Sequence, residues 1–154
     1  MRMRRRSIPT RVSLLLVGLV TLALDLLTKH LAQQDLKFFT PVWLVPGALS
    51  LTRVSNAGAA FGLMGGGGPV LVVVGAAAVV LLPVLAPRIL GGTLGVPLGL
   101  MWGGSAGNLY DRLTGGQVVD FIHVRFWPGI FNLADLAIVV GGVWFAVGLW
   151  KHLP

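Results

Sequence analysis

Five aspartates, Asp25, Asp35, Asp111, Asp120 and Asp135, make up the whole acidic inventory of this 154-residue chain. Glutamate and cysteine are both absent. That excludes an H-E-x-x-H zinc protease, disulfides, thiolate metal sites and a cysteine nucleophile. Acid–base chemistry has to come from these five carboxyls. Asp120 stands out because Val118-Val119 and Phe121-Ile122 flank it, and an apolar setting raises a carboxyl pKa by desolvation. Asp135 stands out because it falls in the first turn of a long apolar run, where the positive end of a helix favours a carboxylate. Opposed environments of this kind divide two carboxyls into an acid and a base. Two carboxyls sharing a proton can activate a water for peptide hydrolysis, the protonated partner polarising the scissile carbonyl.

Each of these residues also has a structural reading. Asn132-Leu133-Ala134-Asp135 has the form of a capping box. Asp120 fits a strand carboxylate paired with Arg112 or Arg125. Asp111-Arg112 reads as two residues that pair separately across a helix bundle. Asp25 and Lys29, four apart on one helix face, read as a satisfied pair inside a membrane span. A dyad of Ser105 and His123 is the other nucleophilic option. Ser105 lies in Gly103-Gly104-Ser105-Ala106-Gly107, however, and helix packing explains that run better. His30, His123 and His152 lack metal-ligand spacing, and the glycine runs lack the Lys-Ser/Thr of a phosphate loop. No metal and no cofactor is expected.

The elements that must position these groups are set by composition. Only 11% of residues are charged, against about 25% in soluble domains, and the mean hydropathy is +0.85. The chain reads as an all-α membrane protein, one polytopic domain over residues 1–154. Four apolar runs, at about 13–32, 69–86, 93–110 and 133–150, each approach the roughly 20 residues that a span needs. The net charge of +7 is concentrated at Arg2, Arg4, Arg5, Arg6 and Arg11, before the first run. That is a positive-inside anchor rather than a nucleic-acid arm. With Arg88 and Lys151 on the same side, and Lys37, Arg53, Arg112 and Arg125 on the other, both termini are expected in the cytoplasm. Segments 35–67 and 113–132 are then extracytoplasmic. Leu49-Ser50-Leu51-Thr52 and Val118–Val124 alternate like strands, so a small antiparallel β-sheet is expected on the outer membrane face. Pro87-Arg88 is read as the end of the second span, and Gly65–Gly68 as a hinge leading into it.

Asn56, Asn108, Asp111, Arg112, Asp120, Asn132 and Asp135 all fall at the outer ends of spans or in outer segments. This gathering at one depth points to a site there. An ion-conducting or transporter subunit would instead carry polar residues at mid-depth in several spans, and a structural adaptor would not depend on Asp120 and Asp135.

Five runs in order resemble the motifs of lipoprotein signal peptidases (signal peptidase II). They are Asp25-Leu26-Leu27-Thr28-Lys29, Asn56-Ala57-Gly58-Ala59-Ala60-Phe61-Gly62, Gly103 to Arg112, Val118-Val119-Asp120-Phe121-Ile122, and Phe131-Asn132-Leu133-Ala134-Asp135-Leu136-Ala137-Ile138. The resemblance implies a bacterial inner-membrane aspartic endopeptidase that needs no metal or cofactor. It would cleave prolipoproteins just before a diacylglyceryl-modified cysteine. By the same matching, Asp120 and Asp135 are the catalytic dyad, and Asn56, Gly58, Asn108, Arg112 and Asn132 bind substrate. Asp25 and Lys29 are a structural polar pair. The sheet becomes a cradle for substrate, followed by a mobile flap-like helix. Partners would be the prolipoproteins, membrane lipids and globomycin-type inhibitors, with the enzyme a monomer. The glycine-rich stretch after Met64 departs from the family pattern.

Overall fold

The computed structural model describes residues 9–58, 68–89 and 94–150. The Arg2–Arg6 anchor, the Gly65–Gly67 part of the hinge, the expected flap and Lys151 lie outside the described residues. In chain order the elements are α1 (Thr10–Asp35), β1 (Val42–Val45), β2 (Leu49–Asn56), α2 (Gly68–Ile89), α3 (Gly95–Gly115), β3 (Val118–Val124), β4 (Ile130–Phe131) and α4 (Leu133–Trp150). α2 continues through Pro83 and Pro87 to Ile89, so Pro87-Arg88 is not its end.

α1 is patterned inside out. Leu14, Gly18, Thr21, Asp25, Lys29 and Ala32 are buried, and their three- and four-residue spacing makes one stripe. The opposite face exposes Leu16, Leu19, Val20, Leu24, Leu27 and Leu31. A helix that hides its charges and shows leucine is suited to lipid rather than to water.

α3 is the central helix, packed against α1, α4 and α2. A methyl group added at Gly103 would collide with Gly18 of α1, one at Gly104 with Ala134 of α4, and one at Gly107 with the Asp25 carboxylate. The absent side chains are what let three helices close on the same few residues. Among the described residues three helices are long and apolar enough to cross a membrane: α1, α2 as far as Leu85, and α4. α3 is not among these. Most of its surface faces other helices, so small and polar residues stand where a lipid-facing helix carries leucine.

The sheet is antiparallel with order β1-β2-β3-β4. Leu51 pairs with Ile122 and Val54 with Asp120, three steps along β2 against two along β3. This bulge adds one residue to β2, and a one-residue slip reverses which face a side chain leaves from. Beyond the bulge Asn56 pairs with Val118, so Asn56 shares the face of Asp120. α3 ends at Gly116, whose φ of 72° is the left-handed cap that turns the chain directly into β3.

Candidate active site

Three junctions meet at one place. β3 supplies Asp120, the turn between β4 and α4 supplies Asn132, and α3 supplies Asn108 about two turns before its end. Asp120 is 2% exposed and Asn132 is fully buried. Polar groups this deep must find partners.

Asn132 caps α4 with its Oδ1, which accepts the Asp135 N–H at 2.9 Å. Asp135 returns a bond through Oδ2, which accepts the Asn132 N–H at 3.2 Å. The capping box therefore forms, and it fixes the Asn132 amide. Because Oδ1 takes a backbone donor, Nδ2 must point the other way. It donates to Asp120 Oδ1 at 2.7 Å and to Asn108 Oδ1 at 3.1 Å. The structural and the chemical readings of Asp135 are thus both realised: one oxygen closes the helix end while the other is free for a different partner.

That partner is Asn108, whose Nδ2 donates to Asp135 Oδ1 at 2.7 Å. Asn56 completes the set. Its Oδ1 accepts the Gly58 N–H at 3.0 Å, and its Nδ2 donates to Asp120 Oδ2 at 3.0 Å. Every oxygen of Asp120 and Asp135 accepts one amide N–H, and Asn132 bonds to both residues. Neither aspartate forms an ion pair among the described residues, so the expected Asp120 pairing with Arg112 or Arg125 is not what holds it. Burial, the largest influence, pushes Asp120 up to about 6. The Asn56 bond pulls down, the negative charge of Asp135 pushes up, and the Asn132 bond and the Lys29 charge pull down again.

A second set of charges lies beside the first. Lys29 contacts Asp25 Oδ2 at 2.7 Å and Asp111 Oδ2 at 3.1 Å. Asp25 Oδ1 accepts the Ala134 N–H at 2.8 Å, and Asp111 Oδ2 accepts the Val119 N–H at 3.2 Å. Lys29 also donates to Asn108 Oδ1 at 3.0 Å. Sequence reasoning pairs Lys29 with Asp25 alone. It misses the Asn108 contact because helix spacing reports neighbours on one helix, and Asn108 is 79 residues away.

Arg112 reaches its own helix, donating to the Asn108 carbonyl at 3.2 Å. Its Nε is buried and has no hydrogen-bond partner among the described residues. Among the described residues, Gly58 meets the set through Asn56. His123 faces Ser50 across the β2–β3 ladder, with Nδ1 3.4 Å from Ser50 Oγ. No bond joins it to Ser105 among the described residues, so the Ser105–His123 dyad is not formed.

Two carboxyls bridged by amides lie at the seam between an apolar helical bundle and a sheet, the architecture of a membrane protein with a buried polar centre. A profile of the family described as Signal peptidase (SPase) II matches residues 17–151. The protein named lipoprotein signal peptidase from Moorella thermoacetica is 42% identical over 130 residues, covering 82% of this chain and 85% of that one. The one of the same name from Halothermothrix orenii is 34% identical over 138 residues, covering 89% and 94%. A bacterial membrane enzyme solved by the in meso method at 2.3 Å superposes with a TM-score of 0.83 at 25% identity, covering 90% of this chain and 87% of that one. The chain belongs to the signal peptidase II family, and it is a protease.

Proposed function

We propose that Asp120 and Asp135 are the catalytic pair of a single-domain membrane endopeptidase that cleaves prolipoproteins immediately before a diacylglyceryl-modified cysteine. The chain removes signal peptides in lipoprotein maturation. The observation that carries the assignment of the pair is the shared bonding of both carboxyls to Asn132, with no cation paired to either among the described residues.

In this reading one carboxyl, protonated, donates to the scissile carbonyl oxygen, while the other, ionised, takes a proton from water. The water oxygen bonds to the carbonyl carbon to give a tetrahedral diol. The leaving nitrogen then receives the proton taken from water, the other carboxylate recovers its proton from a diol hydroxyl, and the C–N bond breaks to give a carboxylic acid and an amine. Asp120 suits the proton-holding role below about pH 6. Asp135, in the first turn of α4, where the positive helix end favours a carboxylate, suits the base. Arg112 and Asn108 bind substrate in this reading, together with Asn132 and with Asn56 and Gly58, which are bonded to each other beside Asp120.

All four long helices span the bacterial inner membrane in this reading, α3 shielded by the other three. The termini are cytoplasmic and the sheet lies on the outer surface. Exposed Phe38, Phe39, Trp43, Leu44, Phe126 and Trp127 support that location, because aromatic side chains favour the membrane–water interface. The cleavage site of a substrate anchored by its acyl chains then lies at the depth of the pair. The enzyme acts as a monomer, and cyclic peptides of the globomycin type compete for the same position.

The test is reconstitution of the purified protein in vesicles with a prolipoprotein peptide, with and without the diacylglyceryl group, and the product read by mass spectrometry. Cleavage directly before the lipidated cysteine, and only there, is expected. Equal cleavage of the unlipidated peptide would defeat the substrate assignment.

A further inference from the structure

Lys29 is spent twice. Its ion pairs with Asp25 and Asp111 account for its charge, but it also reaches Asn108 Oδ1 at 3.0 Å. An ammonium can only donate. It therefore forces the Asn108 amide to present oxygen toward α1 and nitrogen toward α4. Only in that orientation does Nδ2 meet Asp135 Oδ1, at 2.7 Å, while Oδ1 receives Asn132 Nδ2. A flipped amide would set an oxygen against the Asp135 carboxylate and a nitrogen against two donors, losing three bonds together.

We propose that Lys29 is a positioning residue for the hydrolytic pair: by fixing the Asn108 amide it holds Asp135 in register with Asp120. This rests on reading Asp120 and Asp135 as the reacting groups. Lys29 bonds to neither of them, and the bond through which it orients Asp135 is the one to the Asn108 amide. Gly107 makes the arrangement possible, since any side chain there would displace Asp25 and with it the partner that holds Lys29.

Removing Lys29 alone would strand two buried carboxylates and risk unfolding. The informative variants therefore keep the cluster's net charge. Asp25→Asn with Lys29→Met removes the donor, and Asp25→Asn with Lys29→Gln retains one. The amide oxygen that Asp25→Asn introduces can still accept the Ala134 N–H in both. Each is reconstituted in vesicles with the lipidated peptide, and its folding is checked by thermal unfolding. The methionine pair is expected to lower kcat by about 10- to 100-fold with KM within about twofold, the mark of misplaced reacting groups. The glutamine pair is expected to recover kcat to within about threefold of the parent. A folded methionine pair with parental kcat overturns the proposal. So does a folded glutamine pair as slow as the Asn108→Ala variant, a comparison that stands even where the methionine pair does not fold. Asp120→Asn and Asp135→Asn are assayed alongside. Parental turnover in either defeats the catalytic pair itself, and is distinct from failure of the Lys29 assignment.

Discussion

Two clusters of buried carboxyls lie side by side, and they are held differently. Asp25 and Asp111 share the Lys29 ammonium at 2.7 and 3.1 Å. Asp120 and Asp135 have amides only. A carboxylate gripped by a cation is pinned in place by that ion pair. At Asp120 burial outweighs the amide donors and pushes the carboxyl up to about 6. The first arrangement builds a bundle. The second keeps a proton available for transfer, and a protease needs that.

The comparison breaks first at the pair. Asp120→Asn or Asp135→Asn is expected to lower kcat by about 1,000-fold or more, since each removes one of two proton-transfer groups. Both proteins should still fold, and cleavage of the lipidated peptide in vesicles checks both points. In the neighbouring cluster the balance reverses. Asp25→Ala leaves Lys29 short of a partner and the Ala134 N–H uncapped, and is expected to cost about 3–5 kcal/mol of stability. Thermal unfolding in detergent reads that loss. A stable Asp25→Ala protein with no activity would erase the distinction between the clusters.

Smaller effects sharpen it. Asp120 titrates at about 6 in the fold against 3.8 as the ordinary value, so the folded state holds its proton more tightly than the unfolded chain does. Stability from this residue is fully present below pH 3.8 and falls as the pH rises to about 6. The shift corresponds to about 3 kcal/mol. The same group predicts that kcat/KM of the free enzyme declines as the pH rises through about 6. Asn56→Ala removes a donor that favours the charged form, so that decline should move to higher pH, with turnover reduced by about tenfold or less. The smallest change is expected from Ser105→Ala and His123→Ala, within about twofold of the parent. Cleavage lost in either would return the Ser–His reading to contention.

Much of this is legible in the residues and some is not. The alternation of Leu49–Thr52 and Val118–Val124 reads as strand because period two is a local property, and both segments lie in the sheet. The polar residues at the ends of apolar runs read as one cluster for a similar reason, since span topology stacks those ends together. Three features escape. The bulge that places Asn56 on the face of Asp120 is a matter of register between strands, and no pattern within β2 announces it. The shielded position of α3 comes from its neighbours, though its five glycines from Gly95 to Gly107 hint at close packing. The Lys29 contact to Asn108 joins two elements whose rotation only the packed bundle decides.

The central claim is that burial, with no cation in direct contact, leaves the Asp120 proton exchangeable near neutral pH. Five aspartates and no glutamate make it open to direct titration, by carbon-13 labelling of the aspartate carboxyls and magnetic resonance in a membrane mimetic. One signal should titrate at about 6 and vanish in the Asp120→Asn variant. A signal from Asp120 that titrates in the ordinary carboxylate range, near 3.8, would contradict the account.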